Sequence, residues 1–161
     1  MKKKTNGSRT LADEIGKRGP FSSLKQETYL NLLRTSTQLQ REFVLLFESA
    51  GLSDSQYNVL RILQGAGTPM QIYQIGQHMI TPQADISRLI DRMAKANLVK
   101  RERCGEDRRV VWIRLAPKGR AALKKLAKPL EDLHRAQFND LSKQELTILN
   151  ELLFRARHID N

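Results

Sequence analysis

At 161 residues with a single cysteine, the chain is long enough to bury a core unaided, and an internal disulfide framework is excluded. No apolar run approaches the roughly 20 residues of a membrane span, and the start MKKKTNGSRT lacks the apolar core of a secretion signal, so we expect a cytoplasmic protein without membrane contact. The net charge of +11 favours a polyanionic partner, and residues 81–125 alone carry 13 basic and 5 acidic side chains.

The N-terminal region has two parts. Residues 1–20 carry 6 basic and 2 acidic side chains without helical or strand periodicity, and we predict a basic mobile arm that ends near Gly19. This arm is either an untethered tail or an extension that adds phosphate contacts. From Leu24 to Ala50 the apolar residues recur every three or four positions, which predicts one long amphipathic helix that Gly51 ends.

Two helix starts follow in quick succession. Ser53, with Gln56 three residues later, forms a capping box for a second helix that stops at the glycines after it. Thr68-Pro69 then predicts the start of a short third helix, because proline is favoured at the first helical position. We expect this helix to turn Tyr73 inward and to end near Met79.

A further start signal comes only a few residues later, at Thr81-Pro82. The helix it predicts ends at Asn97, a residue type that tolerates the left-handed conformation of a helix stop. Its apolar residues form one stripe: Ile86, Leu89, Ile90 and Met93. Two helices separated by so short a break indicate a helix-turn-helix.

The next segment has the pattern of a hairpin. Residues 98–103 alternate as a strand, residues 104–107 supply turn chemistry, and residues 110–115 return as a second strand. A helix-turn-helix followed by a hairpin indicates a winged helix.

Two closing helices complete the pattern. The first is predicted from Pro117 to Leu141 with a kink at Pro129, and the second begins at a capping box formed by Ser142 and Glu145. The long flanking helices carry more apolar surface than so small a module can cover, which favours a homodimer formed by a second copy. Packing of these stripes within one chain is the alternative.

The predicted fold class is therefore mostly α: a winged helix-turn-helix, itself a small α+β unit, with N- and C-terminal helices forming a homodimerisation domain. We divide the chain into a basic mobile arm (1–20), a helical dimerisation region (21–51 and 117–160) and a DNA-binding winged helix-turn-helix (52–116).

The sequence gives little support to catalysis. Its histidines, His78, His134 and His158, fall in separate helices without a paired His/Glu spacing, and Cys104 has no histidine near it in sequence. Neither a glycine-rich phosphate loop nor a nucleophile elbow is present. We therefore nominate no catalytic residue, no metal site and no cofactor.

The helix predicted to begin at Pro82 carries side chains of the types that contact base edges in the major groove of DNA. Its apolar stripe fixes the inward face, so the outward residues are Ala84, Arg88, Asp91 and Lys95, with Gln83 and Ser87 beside them near the helix start. Glutamine can bond an adenine edge in two places and arginine a guanine edge, while serine contacts bases or phosphates and alanine a thymine methyl. A solvated helix face is the plain alternative, and the local positive charge favours DNA.

Two acidic residues on this helix oppose DNA binding unless they are paired. We expect Asp91 to pair with Arg88 or Lys95 at helical spacing, whereas for Asp85 the sequence leaves the role open, including acceptance from a cytosine.

Four segments together resemble the MarR (multiple antibiotic resistance regulator) family of bacterial transcription factors. The similarity covers residues 24–159 and is most specific around the hairpin. The segments are Thr81-Pro-Gln-Ala-Asp-Ile-Ser-Arg-Leu-Ile-Asp-Arg-Met93, Asn97-Leu-Val-Lys-Arg101, Glu106-Asp-Arg-Arg109, and Val111 through Leu115-Ala-Pro-Lys-Gly119.

The resemblance implies a triangular homodimer that binds double-stranded DNA with a winged helix at each lower corner. It places Arg109 at the wing tip that enters the minor groove, with Asp107 as its brace. We expect the neighbouring Arg108 to contact a phosphate. Many members release DNA when a small, often phenolic, anion binds. The resemblance places Gln83, Ala84, Ser87 and Arg88 at the major groove, and we add Thr81 to these DNA-binding residues.

Two alternatives to a ligand-responsive, sequence-specific regulator stay open. A winged helix can serve as an architectural module with only non-specific DNA affinity. Pocket-lining and core residues look alike in sequence, so a ligand-responsive regulator cannot be separated from an unresponsive one.

Overall fold

The computed structural model describes residues 10–103 and 110–158 of the chain. Within those ranges the elements follow the predicted order, with two additions. They are α1 (Leu11–Glu14), α2 (Leu24–Ser49), α3 (Asp54–Ala66), β1 (Met70–Gln71), α4 (Ile72–Gln77), α5 (Ile86–Lys95), β2 (Val99–Arg103), β3 (Val111–Leu115), α6 (Pro117–Gln137) and α7 (Lys143–Arg157).

Local capping chemistry fixes several helix ends as predicted. At α3 the Ser53 hydroxyl accepts the Gln56 N–H at 3.3 Å, and the Gln56 side chain accepts the Ser53 N–H at 2.8 Å. Ser142 and Glu145 form the same reciprocal pair at the start of α7. Asn97 takes a φ of +59°, the left-handed helix stop that its sequence position predicted.

The sheet has the order β1-β3-β2 with antiparallel pairing throughout. The predicted hairpin is confirmed: Val99 lies opposite Leu115 and Arg103 opposite Val111. The strand β1 was not predicted. Met70 pairs with Ile113 on the outer side of the hairpin, which makes this sheet three-stranded.

The prediction of a helix start at Thr68-Pro69 was therefore wrong. Pairing with β3 holds Met70 and Gln71 extended, and α4 begins only at Ile72, where the Gln74 side chain accepts the Gln71 N–H at 2.8 Å. The inward placement of Tyr73 was also wrong, since 59% of this residue is exposed.

Two further boundaries differ from the sequence prediction. The arm was predicted without a helix, yet Thr10 and Asp13 form a capping box that starts the one-turn α1. Hydrogen bonding to Thr10 lowers the pKa of the Asp13 carboxyl. The helix α6 ends at Gln137 rather than at Leu141, and Pro129 is accommodated inside it.

The chain divides into two compact units, Met1–Arg41 and Glu42–Asn161, with the boundary inside α2. In the first unit Leu11 is buried, and Glu14 of α1 lies 3.7 Å from Arg34 of α2. The second unit contains the winged helix and the main core. Its most completely buried side chains are Val59, Leu60, Ile75, Ile90, Met93, Ile113 and Leu126.

A row of aromatic rings extends this core along the end of α2. The ring of Phe47 stacks on Tyr57 at 4.2 Å between centroids, and Phe43 lies between Phe47 and His134. Burial raises the pKa of Tyr57, while the neighbouring Arg61 acts in the opposite direction. The row thus joins α2, α3 and α6 within the second unit.

Apolar side chains remain uncovered on two of the long helices. No residue of α7 is buried, although it was predicted to carry an apolar stripe. The exposed apolar residues of α2 and α7 are Leu24, Tyr29, Leu32, Leu33, Val44, Leu45, Ile148, Leu149, Leu152 and Phe154.

Among the described residues, no helix is long and apolar enough to cross a membrane.

Three elements approach one another very closely at Gly119, in the first turn of α6. A Cβ atom built there would lie 2.3 Å from the carbonyl oxygen of Leu98 and 3.0 Å from a methyl carbon of Leu60. The same carbonyl accepts the Ala116 N–H at 3.1 Å. Only glycine therefore lets α6 start against the base of the hairpin and the side of α3.

We expect Gly119→Ala to lower the free energy of unfolding by about 1–3 kcal/mol, because a backbone carbonyl cannot move aside as a flexible side chain could. Chemical denaturation measures this change. Gly65→Ala in α3 is the matched control, since its Cβ would meet nothing within 4 Å, and a helical alanine should equal or exceed glycine there by up to about 1 kcal/mol. Equal stability of the two variants would contradict the close approach.

Candidate nucleic-acid interface

The helix α5 begins at Ile86, four residues later than the sequence predicted. Its N-cap is Asp85, whose carboxylate accepts the Arg88 N–H at 2.9 Å. The predicted start at Thr81-Pro82 was therefore wrong. Before the N-cap, the side-chain amide of Gln83 donates to the Thr81 and Pro82 carbonyls at 3.3 and 3.4 Å. Residues 81–85 therefore form a non-helical approach to α5.

The helix α5 has one buried and one open face. Leu89, Ile90 and Met93 are at most 4% exposed and face the core. Ser87 and Arg88 lie exposed in the first turn, and 81% of the Arg88 side chain is accessible. The first turn of α5 thus presents polar side chains to solvent while the rest of the helix is anchored.

All five residues predicted to read the major groove fall within one short segment. Thr81 and Ala84 are exposed on the approach, Gln83 is half-buried there, and Ser87 and Arg88 follow on α5. The structure brings them together at one end of the helix. Their contacts with bases remain a prediction.

A buried asparagine, which the sequence reasoning missed, holds the turn before α5. Asn58 of α3 is 9% exposed, and its side-chain oxygen accepts the Ile80 N–H at 3.0 Å. This bond spans 22 residues and ties α3 to the connection between α4 and α5. The only signal in the sequence was a polar residue beside the apolar stripe of α3, and such residues are usually exposed.

The expected pairing of Asp91 was wrong. Asp91 pairs with Arg101 on β2, not with Arg88 or Lys95, and Arg88 pairs instead with Asp85 at 3.0 Å. A partner on a neighbouring strand depends on how β2 packs against α5, which helical spacing alone does not reveal. The Asp91–Arg101 pair therefore connects α5 to the first strand of the hairpin.

The hairpin continues the basic surface beyond α5. Glu102 on β2 pairs with Arg114 on β3 at 2.7 Å. Both partners are about half exposed, so this pair contributes at most about 1 kcal/mol to stability. Other exposed basic residues on α5 and β2 are Arg92, Lys95, Lys100 and Arg103.

The residues predicted for the wing tip lie outside the described residues. Asp107, Arg108 and Arg109 fall between the end of β2 and the start of β3, as does Cys104. Their predicted roles, the minor-groove contact of Arg109, the phosphate contact of Arg108 and the brace of Asp107, stay predictions.

In the described parts of the chain no group of three or more His, Cys, Asp and Glu side chains is arranged to hold a metal ion. The histidines have local contacts instead: His78 bonds the Gln74 carbonyl at 2.7 Å, and His158 stacks on Phe154 at 4.1 Å.

Comparison with known proteins identifies the family. The MarR family model matches residues 50–110. A MarR transcription factor from Planctomyces limnophilus, whose structure is solved, is 38% identical over 83% of this chain and 98% of its own, with a TM-score of 0.64. The chain belongs to the MarR family. The fold class predicted from the sequence, mostly helical with a winged helix, is thereby confirmed, and the chain is a MarR-type transcriptional regulator.

Two more distant regulators of known structure share the fold. The organohalide-sensing regulator RdhR-CbdbA1625, in its 2,4-dichlorophenol-bound form, is 17% identical with a TM-score of 0.77, covering 87% of this chain and 85% of its own. A mutant of MarR from E. coli, complexed with operator DNA, is 18% identical with a TM-score of 0.71, covering 92% and 99%. The related proteins are regulators, a class distinct from enzymes.

Asn58→Ala should lower the free energy of unfolding by about 1–3 kcal/mol, because the Ile80 N–H loses its acceptor in a partly buried position. Hydrogen exchange at the Ile80 amide should accelerate, which mass spectrometry or NMR measures. Asn139→Ala removes an exposed asparagine and serves as control, with an expected change within about 0.5 kcal/mol. Unaltered exchange at Ile80 would remove Asn58 from this role.

Proposed function

We propose that the protein is a sequence-specific DNA-binding repressor that acts as a homodimer on a pseudo-palindromic operator. The observation that carries this proposal is the geometry of α5, whose first turn is open while Leu89, Ile90 and Met93 anchor it in the core. A helix held in this way can enter a major groove with its N-terminal residues against the base edges.

The chemistry of the exposed segment suits base recognition. Arg88 can bond the O6 and N7 atoms of guanine, Gln83 an adenine edge, and Ser87 a base or a phosphate. Ala84 offers a methyl group to thymine, and Thr81 a hydroxyl to the backbone or a base. Gln83 must exchange its bonds to the Thr81 and Pro82 carbonyls for a base edge. The operator complex of E. coli MarR supports DNA as the ligand of this fold.

The hairpin would supply the backbone contacts. Exposed Lys100 and Arg103 lie on β2, the strand that leads towards the wing tip. We place Arg109 in the minor groove with Asp107 as its brace, and Arg108 at a phosphate. Such contacts supply much of the affinity and make it depend on salt.

The homodimer is proposed from the uncovered apolar surface. Leu149 and Leu152 on α7, and Leu32 and Leu33 on α2, are all at least 37% exposed. The same helices of a second copy can cover such residues in a two-fold symmetric dimer. Functionally we assign residues 21–51 and 117–160 to dimerisation, 52–116 to DNA binding and 1–20 to a basic arm.

Repression and release complete the proposal. A dimer that spans two half-sites excludes other proteins from that DNA, so in vitro transcription should fall when the protein is added. The 2,4-dichlorophenol-bound form of RdhR-CbdbA1625 supports a small phenolic or other anionic effector. Titration of phenols and aromatic carboxylates into the preformed DNA complex tests this part; an unresponsive complex would remove the effector.

Selection from random DNA should enrich a pseudo-palindrome whose half-sites are about one helical turn apart, because each protomer presents one α5. Affinity for the selected site should fall by roughly 10³-fold or more between 50 and 200 mM salt if six or more phosphates are contacted. An architectural module would enrich no palindrome. Affinity that ignores salt would contradict the electrostatic part of the proposal.

Arg109→Ala should weaken binding to the selected site strongly at constant salt, because a minor-groove contact is lost, while sedimentation still gives a dimer. Arg135→Ala removes an equal charge from α6, where Arg135 pairs with Glu131 at 2.7 Å, and serves as control. If the two variants bind the site equally well, Arg109 is not in the minor groove. A monomer in the wild-type sedimentation profile would overturn the homodimer.

A further inference from the structure

The carboxylate of Asp85 uses both of its oxygens on a single residue. One oxygen accepts the backbone N–H of Arg88 at 2.9 Å, and the other lies 3.0 Å from Nε of the same arginine. The first contact is an ordinary helix N-cap. The second contact is not needed for capping, and it fixes the side chain of the residue best suited to read guanine.

This contact holds the guanidinium at its base rather than at its tip. The carboxylate lies beside Nε of Arg88, and the two terminal NH₂ groups lie farther along the side chain. These groups form the end-on fork that matches two acceptors of a guanine. The side chain of Arg88 is 81% exposed, so without Asp85 its orientation would be set by solvent alone.

The stability of the fold does not explain the pair. An i,i+3 contact between side chains that are 81% and 47% exposed contributes little to folding. A serine at this position would cap the helix about as well without placing a negative charge beside the DNA. A carboxylate here repels the phosphates of DNA. It therefore weakens binding to any sequence that offers no compensating contact to Arg88.

We propose that Asp85 is a specificity-determining residue: it orients Arg88 for guanine, and its charge penalises binding to sequences that lack that guanine. Asp85 acts through Arg88 and is a positioning residue rather than the base reader itself. This inference rests on the proposed function, in which the first turn of α5 enters the major groove.

The test uses the full-length protein and the sequence selected by the wild type. Each base pair of one half-site is replaced in turn, and binding of the wild type, Asp85→Ser, Arg88→Ala and the double variant is measured at one salt concentration. Asp85→Ser keeps a capping oxygen, and thermal denaturation verifies that it folds like the wild type. Asp140→Ser removes an exposed acid between α6 and α7 and controls for net charge.

The expected outcome has three parts. Arg88→Ala should lose the discrimination at one guanine, roughly 5-fold to 150-fold. Asp85→Ser should lose about 5-fold or more at that same base pair and should bind random DNA more tightly than Asp140→Ser does. In the Arg88→Ala background, Asp85→Ser should change discrimination no further, because the residue that it orients is gone.

Two outcomes would overturn the proposal. Unchanged discrimination in Asp85→Ser would make Asp85 a helix cap only, and sharper discrimination would mean that it restrains Arg88 from the base. Failure of the proposed function looks different, because the wild type itself would then select no sequence.

Discussion

The winged helix depends on one carbonyl group, that of Leu98. It follows the left-handed Asn97 that ends α5, and it accepts the Ala116 N–H at 3.1 Å while Gly119 packs directly over it. The end of α5, the base of the hairpin and the start of α6 therefore meet at a single backbone atom. The orientation of α5 relative to the hairpin is set there, by a steric fit that a single methyl group would disturb.

Two interactions of different strength hold α5 in place. At the N-terminal end, the bond from Ile80 to the buried Asn58 fixes the preceding turn, and losing it would leave a poorly solvated N–H. Along its length, the half-exposed pair of Asp91 and Arg101 is screened by solvent and contributes far less to folding. The buried hydrogen bond thus fixes the position of α5, whereas the ion pair is a weaker contact between α5 and β2.

Most of the fold could be predicted because its signals are local. The capping boxes at Ser53 and Ser142 and the stop at Asn97 involve residues at most three positions apart, so their chemistry is legible in sequence. The strand β1 could not be predicted, since only pairing with Ile113, 43 positions from Met70, makes it extended.

The candidate site was predictable to the same extent. The exposure of Ser87 and Arg88 followed from the apolar stripe of α5, because that stripe fixes which side of a helix is free. The start of α5 was misplaced, because both Thr81-Pro82 and Asp85 are acceptable start signals and the structure uses Asp85 as the N-cap. The partner of Asp91 and the role of Asn58 depend on tertiary packing and left almost no trace in the sequence.

The acidic residues within the basic surface orient its arginine side chains more than they lower its net charge. In the described part of residues 81–125, Asp85, Asp91 and Glu102 each pair with an arginine, from α5, β2 and β3 respectively. Pairs this exposed add little to stability, but each restricts a long side chain that would otherwise lose rotational freedom on binding. An interface with DNA needs arginines that are already oriented and lysines that are free to follow phosphates. In this segment every described acid pairs with an arginine, while Lys95 and Lys100 stay exposed. The paired arginines are thus oriented and these two lysines are free.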